Sequence, residues 1–197
     1  YMTISYDDDS DTDYEPFIAF RDFLFSSFPE VYAALDLELV NEHSMLLHWK
    51  GTDKSLKPVV IMAHHDVVPV EQETINQWDA PPFEGRTVNG ELIGRGVVDN
   101  KINLMSQLEA VDFLLKQGFK PKHDIYFVSG HDEENGGNNG AREVAKLMHS
   151  RGIEAEFVLD EGGFVTSTKV PGVSQPVALI GTSEKGFLTV ELTLNME

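Results

Sequence analysis

The chain has no cysteine. Disulfides and thiolate metal sites are therefore excluded, and any metal must be held by histidine and carboxylate. It has no apolar run near the roughly 20 residues that a bilayer-spanning helix needs, which argues against a membrane partner. It opens with no basic segment followed by an apolar stretch and a cleavage site, so the expectation is a cytoplasmic protein rather than a secreted one. Positive charge is scarce as well: 15 Lys and Arg stand against 33 Asp and Glu, for a formal net charge of -18. Such a surface repels a phosphate backbone and has few cations with which to displace counterions, which argues against nucleic acid.

What is present fits a globular protein. The 197 residues suffice for one sizeable core, and 41% hydrophobic with 24% charged residues is an ordinary balance. Much of the excess acid lies in DDDSDTDYE, residues 7 to 15. The run superficially offers the alternating Asp ligands of a calcium loop, but Thr12 and Ile18 stand where that loop needs glycine and glutamate. A solvated acidic loop is the expected reading. Residues 1–14 are accordingly read as an acidic N-terminal segment.

Phe17, Ile18, Phe20, Phe23, Leu24 and Phe28 recur at helical spacing, so an amphipathic helix is expected over 15–28, ended by Pro29. Residues 37–40 and 45–49 read as two short strands around a turn at 41–44. PVVIMA (58–63) is a compact β-branched run of the kind buried on both faces of a parallel sheet. A helix is expected over 102–117 with Gly118 as its C-terminal cap. DIYFVS (124–129) reads as a strand, 141–151 as a helix and 156–159 as a third core strand. Strand, helix, strand over 124–159 is a βαβ unit, so the fold class is α/β, with a mostly parallel central sheet flanked by helices.

Ligands of open parallel sheets sit beyond the carboxyl ends of the strands. Here PVVIMA is followed by His64-His65-Asp66, DIYFVS by Gly130-His131-Asp132-Glu133-Glu134, and EFVL by Asp160-Glu161. Asp99 lies in GRGVVDNK, just before the long helix. One strand ending in an acid would mean little. Three such ends, with an Asp in a glycine-framed turn, concentrate negative charge that calls for a cation. Imidazole with carboxylate suits zinc, and also cobalt or manganese. The acid exceeds what a single zinc needs, and two cations about 3.5–4 Å apart would use it.

In His64-x-Asp66 the side chains share one side of an extended chain, so Asp66 can accept the second ring N–H of His64 and fix its tautomer. His65 points the other way and is read as structural. Asp99 is the candidate bridging carboxylate and Asp160 a terminal ligand. Glu133 and Glu134 divide into one ligand and one free base acting on metal-bound water, an assignment spacing alone leaves open. Asp132 and Glu161 are expected in water or behind the ligands. The glycine-rich turn at 130–140 carries neither G-x-G-x-x-G nor G-K-[ST], and its acids oppose a phosphate. No G-x-S-x-G serine elbow occurs.

The motifs HHDVVPV, WDAPPFEG, GRGVVDNK, GHDEENGG and LDEGG, in this order, resemble those of the M20 zinc metallopeptidases, on the carboxypeptidase S and N-acyl-amino-acid hydrolase side of the family. The resemblance runs from about residue 15 to the end. It implies one zinc on His64 and Asp160, a bridging Asp99, Glu134 on a second zinc, Glu133 as general base and Asp66 orienting His64. It also implies a peptide or N-acyl amino acid as substrate, cleaved at the amide next to a free carboxylate. Asn100 departs from the family's GRGxxDDK pattern at a position outside the ligand set, and little effect is expected.

By the same resemblance, residues 15–183 are the N-terminal part of the catalytic domain and 184–197 begin a lid or dimerisation domain. The rest of that lid, with substrate-carboxylate groups and a homodimer contact, and a segment returning to the catalytic sheet with a second histidine ligand, would lie beyond Glu197. The alternatives are a deacylase of the acetylornithine or succinyl-diaminopimelate type, a non-catalytic scaffold of the same fold that binds metal or peptide, and a calcium-dependent acidic protein built on residues 7–13. Glu133 argues against a scaffold, which needs no base there.

Overall fold

The computed structural model describes residues 1–163, 165–183, 186 and 190–194. It divides into two units, Tyr1–Glu161 and Gly162–Glu197. The strand expected from the lid's start at 184–197 falls largely on residues outside those described.

The first unit is built on a five-stranded sheet in the order β1-β2-β6-β3-β7. Its strands are β1 (Asp36–Val40), β2 (Ser44–Trp49), β3 (Val59–His64), β6 (Ile125–Gly130) and β7 (Phe157–Leu159). β3 pairs parallel with β6 and β7, whereas β2 is antiparallel to both β1 and β6. Four of the five strands therefore run in one direction, and β2 alone is reversed by the tight turn at 41–43.

Helices cover both faces. On one face lie α1 (Glu15–Ser27), α2 (Pro29–Ala34) and α3 (Ile102–Lys116), and on the other α4 (Ala141–Ser150). The period-two alternation of a strand divides the core between these layers. Met45, Leu47 and Trp49 join Phe20, Leu24, Val31, Leu104, Leu108 and Phe127 on the first face. Leu46 turns the other way to meet Val60, Tyr126, Val128, Val144 and Met148. Each such fully buried side chain contributes about 1.5–3 kcal/mol.

Local signals account for most of these boundaries. Gly118 has φ +70° and closes α3, with its N–H on the Leu115 carbonyl and that of Phe119 on Leu114. Pro29 ends α1 as expected, but it also opens α2, because proline fits the first helical turn, where its missing N–H has no partner to lose. The hairpin of β4 (Arg86–Val88) and β5 (Glu91–Ile93) turns on Asn89-Gly90, both at positive φ, a dipeptide that could have been read from sequence.

One expectation is corrected. β7 is not a buried core strand: Phe157, Val158 and Leu159 are each more than half exposed, because β7 is the edge of the described sheet and has a neighbour on one side only. The acidic run is solvent-exposed from Asp7 to Asp11, and Asp8 caps the short helical turn Asp9–Asp11. In the second unit, β8 (Val165–Thr166) pairs antiparallel with β9 (Val177–Ala178).

Candidate metal centre

The parallel register sets His64 opposite Gly130, so β3 and β6 leave the sheet side by side. β7 ends on the other flank of β3, with Leu159 opposite Ile61. The turns that follow deliver acids to the space above His64.

His64 is buried and uses both ring nitrogens. Nδ1 lies 3.2 Å from Asp66 Oδ1 and 3.2 Å from the Asp66 carbonyl oxygen. Nε2 lies 2.8 Å from Asp99 Oδ1, 3.3 Å from Glu161 Oε1 and 3.6 Å from Glu133 Oε2. One nitrogen is thus anchored and the other is the meeting point of three carboxylates. His65, one residue on, points back into the core and pairs its Nδ1 with Ser129 Oγ at 2.8 Å, edge-on to Phe17.

Asp66 is fully buried. Burial pushes its carboxyl up, but hydrogen bonds from His64, Ser5 and the Glu134 amide outweigh that and hold it below the usual aspartate value. Burial also pushes the His64 ring down. The Asp66 hydrogen bond and charge, with the charges of Glu133 and Glu161, more than reverse this and lift it to about 9.

The glutamates respond in the opposite sense. Burial, then the charges of Asp66, Asp99 and Asp160, raises Glu133 above its ordinary value against the pull of His64. Glu134 and Glu161 are likewise raised, by burial first and then by Asp99. Lys101 is the nearby lysine. Burial takes it down to about 8 against the charges of Asp66 and Glu134, and its Nζ donates to Thr3 Oγ1 at 2.7 Å.

The expected site residues are distributed as follows. Ligand atoms of His64, Asp99 and Glu161 all lie within 4.8 Å of one another. Glu133 reaches the same nitrogen of His64. Glu134 adjoins through its backbone, donating its N–H to Asp66 Oδ2 at 3.0 Å. Asp160 is exposed, and its Oδ1 accepts the Glu161 amide at 2.9 Å. Glu161, set aside in the sequence as solvated or behind the ligands, stands nearer to His64. Adjacent acids after a strand point to different sides, and the sequence carries no signal that chooses between them.

Asp132 is also placed differently from the expectation of a solvated acid. It is buried, with Oδ2 accepting the Asn139 amide at 2.7 Å, and it ties down the turn before α4. Gly140 is needed there, since a Cβ would stand 2.3 Å from Asp132 Oδ1. The three consecutive acids are thus sorted into one that builds the turn and two that face the site. Asn100 follows Asp99 through a cis peptide bond and is fully buried, its side-chain amide without a partner among the described residues.

The donor set fits a divalent cation. One imidazole, its far nitrogen held by a buried carboxylate, faces oxygen ligands that repel one another. His64, Asp99 and Glu161, with Asp160 and Glu134 beside them, are the residues that would hold it.

Comparisons with known proteins find relatives of this chain. The chain is 42% identical over 200 residues to a probable carboxypeptidase S-like protein of Dictyostelium discoideum, covering all of this chain and 38% of that protein. It is 40% identical over 178 residues to the N-fatty-acyl-amino acid synthase/hydrolase of Xenopus tropicalis, covering 89% of this chain and 34% of that protein. Carboxypeptidase S of Saccharomyces cerevisiae is 38% identical over 186 residues, 92% of this chain and 32% of that protein. The chain thus spans about a third of the length of these relatives. The fold is shared with an M20 family metallo-carboxypeptidase from Sulfolobus solfataricus, at TM-score 0.62 and 24% identity over 81% of this chain and 34% of that one. Residues 60–195 match the model of peptidase family M20/M25/M40, and with that match the chain belongs to this family.

Proposed function

We propose that the protein is a metal-dependent amidohydrolase that cleaves a short peptide or an N-acyl amino acid at the amide bond next to a free carboxylate. The observation that carries the reading is the convergence of Asp99, Glu161 and Glu133 on His64 Nε2 while Asp66 holds Nδ1. The substrate class is supported by relatives named as a carboxypeptidase and as an N-fatty-acyl-amino acid synthase/hydrolase. In keeping with it, we assign residues 15–183 to the catalytic domain and 184–197 to the start of a lid.

His64, Asp99 and an acid of the Asp160–Glu161 pair would hold one zinc, and Glu134 would serve a second with Asp99 shared. A cation bound there supplies Lewis acidity, making water more acidic and the substrate carbonyl more electrophilic. The chain's own residues do the rest. Asp66 keeps the His64 proton on Nδ1 and leaves Nε2 free to ligate. Glu133 is about half exposed and raised in pKa, which suits a group that must both take and give a proton near neutral pH. It accepts a proton from water as the oxygen adds to the amide carbon. It then passes that proton to the nitrogen as the C–N bond breaks, releasing an amine and a carboxylate.

The test is Glu133→Gln in the full-length protein. Turnover of an N-acyl amino acid should fall by about 10²–10⁴-fold, the usual contribution of a general base, while zinc content stays the same. Unchanged turnover would remove Glu133 from the chemistry.

A further inference from the structure

The first five residues lie outside the stretch matched by the family model, yet they are built into the site. Ile4 makes a parallel bridge to Val67, and Val67 N–H donates to the Thr3 carbonyl at 2.9 Å. Thr3 is fully buried; its hydroxyl donates to the His65 carbonyl at 2.5 Å and accepts from Lys101 Nζ at 2.7 Å. The segment is therefore a short extra strand laid along residues 65–67, immediately after β3.

Ser5, also buried, is where this strand meets the site. Its Oγ lies 2.7 Å from Asp66 Oδ2 and 2.6 Å from Asn135 Nδ2. The directions of both bonds follow from chemistry. The Asn135 amide nitrogen only donates, so Ser5 Oγ accepts from it and gives its single proton to Asp66. Asp66 Oδ2 takes a second bond from the Glu134 N–H at 3.0 Å, which leaves Oδ1 for His64.

We propose that Ser5 is a positioning residue of the metal centre, whose hydroxyl locks the Asp66 carboxylate so that one oxygen is reserved for His64 Nδ1. It also ties that carboxylate, through Asn135, to the turn that carries Glu133 and Glu134. The proposal rests on the reading of Asp66 as the residue that orients His64. Without the Ser5 hydroxyl, Asp66 Oδ2 keeps one donor in a fully buried site. The carboxylate then turns about its Cβ–Cγ bond, and the His64 ring keeps only the Asp66 carbonyl oxygen, 3.2 Å from Nδ1, as its anchor.

Two readouts on the purified protein separate this proposal from the metal reading. The first, after metal removal, is the low-field proton resonance of His64 Nδ1–H, protected by its bond to Asp66. It should move upfield in Ser5→Ala, where the uncharged Asp66 carbonyl is the acceptor left, and keep its position in Ser5→Thr, which restores the hydroxyl. It should also keep its position in Val144→Ala, which loosens the core on the far face and measures general destabilisation. The second is Co2+ affinity, expected to fall about tenfold in Ser5→Ala alone, since partners behind a ligand tune metal affinity by that order. An unshifted resonance in Ser5→Ala, or an equal shift in Val144→Ala, overturns the proposal. A shift only in Ser5→Ala, with no Co2+ bound by any variant, upholds Ser5 and overturns the metal reading.

Discussion

Replacing Asp66 by Asn changes one heavy atom and should weaken His64 as a ligand. Both donors that fix Asp66 Oδ2, the Ser5 hydroxyl at 2.7 Å and the Glu134 N–H at 3.0 Å, require an acceptor at that position. The Asn oxygen must sit there, which puts its NH2 in the place of Oδ1, 3.2 Å from His64 Nδ1. Two donors cannot face each other, so the Nδ1 proton is left with the Asp66 carbonyl oxygen, also at 3.2 Å, as its acceptor, and the tautomer that frees Nε2 for a cation loses its charged partner. Loss of such a partner typically weakens metal binding by about 10–100-fold, or about 1.4–2.8 kcal/mol. Competition titration of Co2+ or Zn2+ at fixed pH reads this directly, and the visible Co2+ spectrum reports whether the nitrogen ligand is lost. Affinity within about twofold of the unmodified protein, with an unchanged spectrum, would refute the tautomer argument.

Two further outcomes follow from the same structure. Burial pushes the His65 ring down to about 3, and a base with a depressed pKa binds its proton in the unfolded chain first. Its contribution to stability is therefore complete above about pH 6.5 and declines below it by up to about 1.4 kcal/mol per pH unit. Chemical denaturation of the unmodified protein and His65→Gln between pH 7.5 and 5 should converge as the pH falls, and parallel curves would contradict this. Replacing Asp7, Asp8, Asp9 and Asp11 together by Asn should leave zinc affinity unchanged within about twofold, because these side chains are exposed and the run builds a capped turn of its own. A large loss of affinity would reinstate the acidic run as a binding site.

The sequence disclosed those features whose physical cause is local. Helical spacing and Gly118 gave α3 almost to the residue, and the β-branched run before His64 gave β3 as a central parallel strand. The rule that ligands gather beyond strand ends singled out His64, Asp66, Glu133, Glu134 and Asp160, and the glycine-framed turn before α3 added Asp99. Features set by tertiary contact were not legible. The exposure of β7 depends on what pairs beyond it, which its apolar sequence cannot state. Whether Asp160 or Glu161 stands nearer His64 depends on the exit angle of a loop. Asp132 looked like a surface acid because the Asn139 N–H that donates to it is seven residues away. Ser5 could not be found at all from the sequence: its partner Asp66 lies 61 residues on, and no spacing rule links them.

The central claim is that His64 Nε2 faces a cation. Anomalous diffraction at the zinc absorption edge, from crystals of the protein loaded with zinc, locates the metal without assuming its ligands. The account predicts a peak bonded to His64 Nε2 and an Asp99 oxygen, at about 2.0–2.2 Å from each. Zinc bound elsewhere, or no zinc at His64 in a crystal grown with the metal in excess, would contradict it.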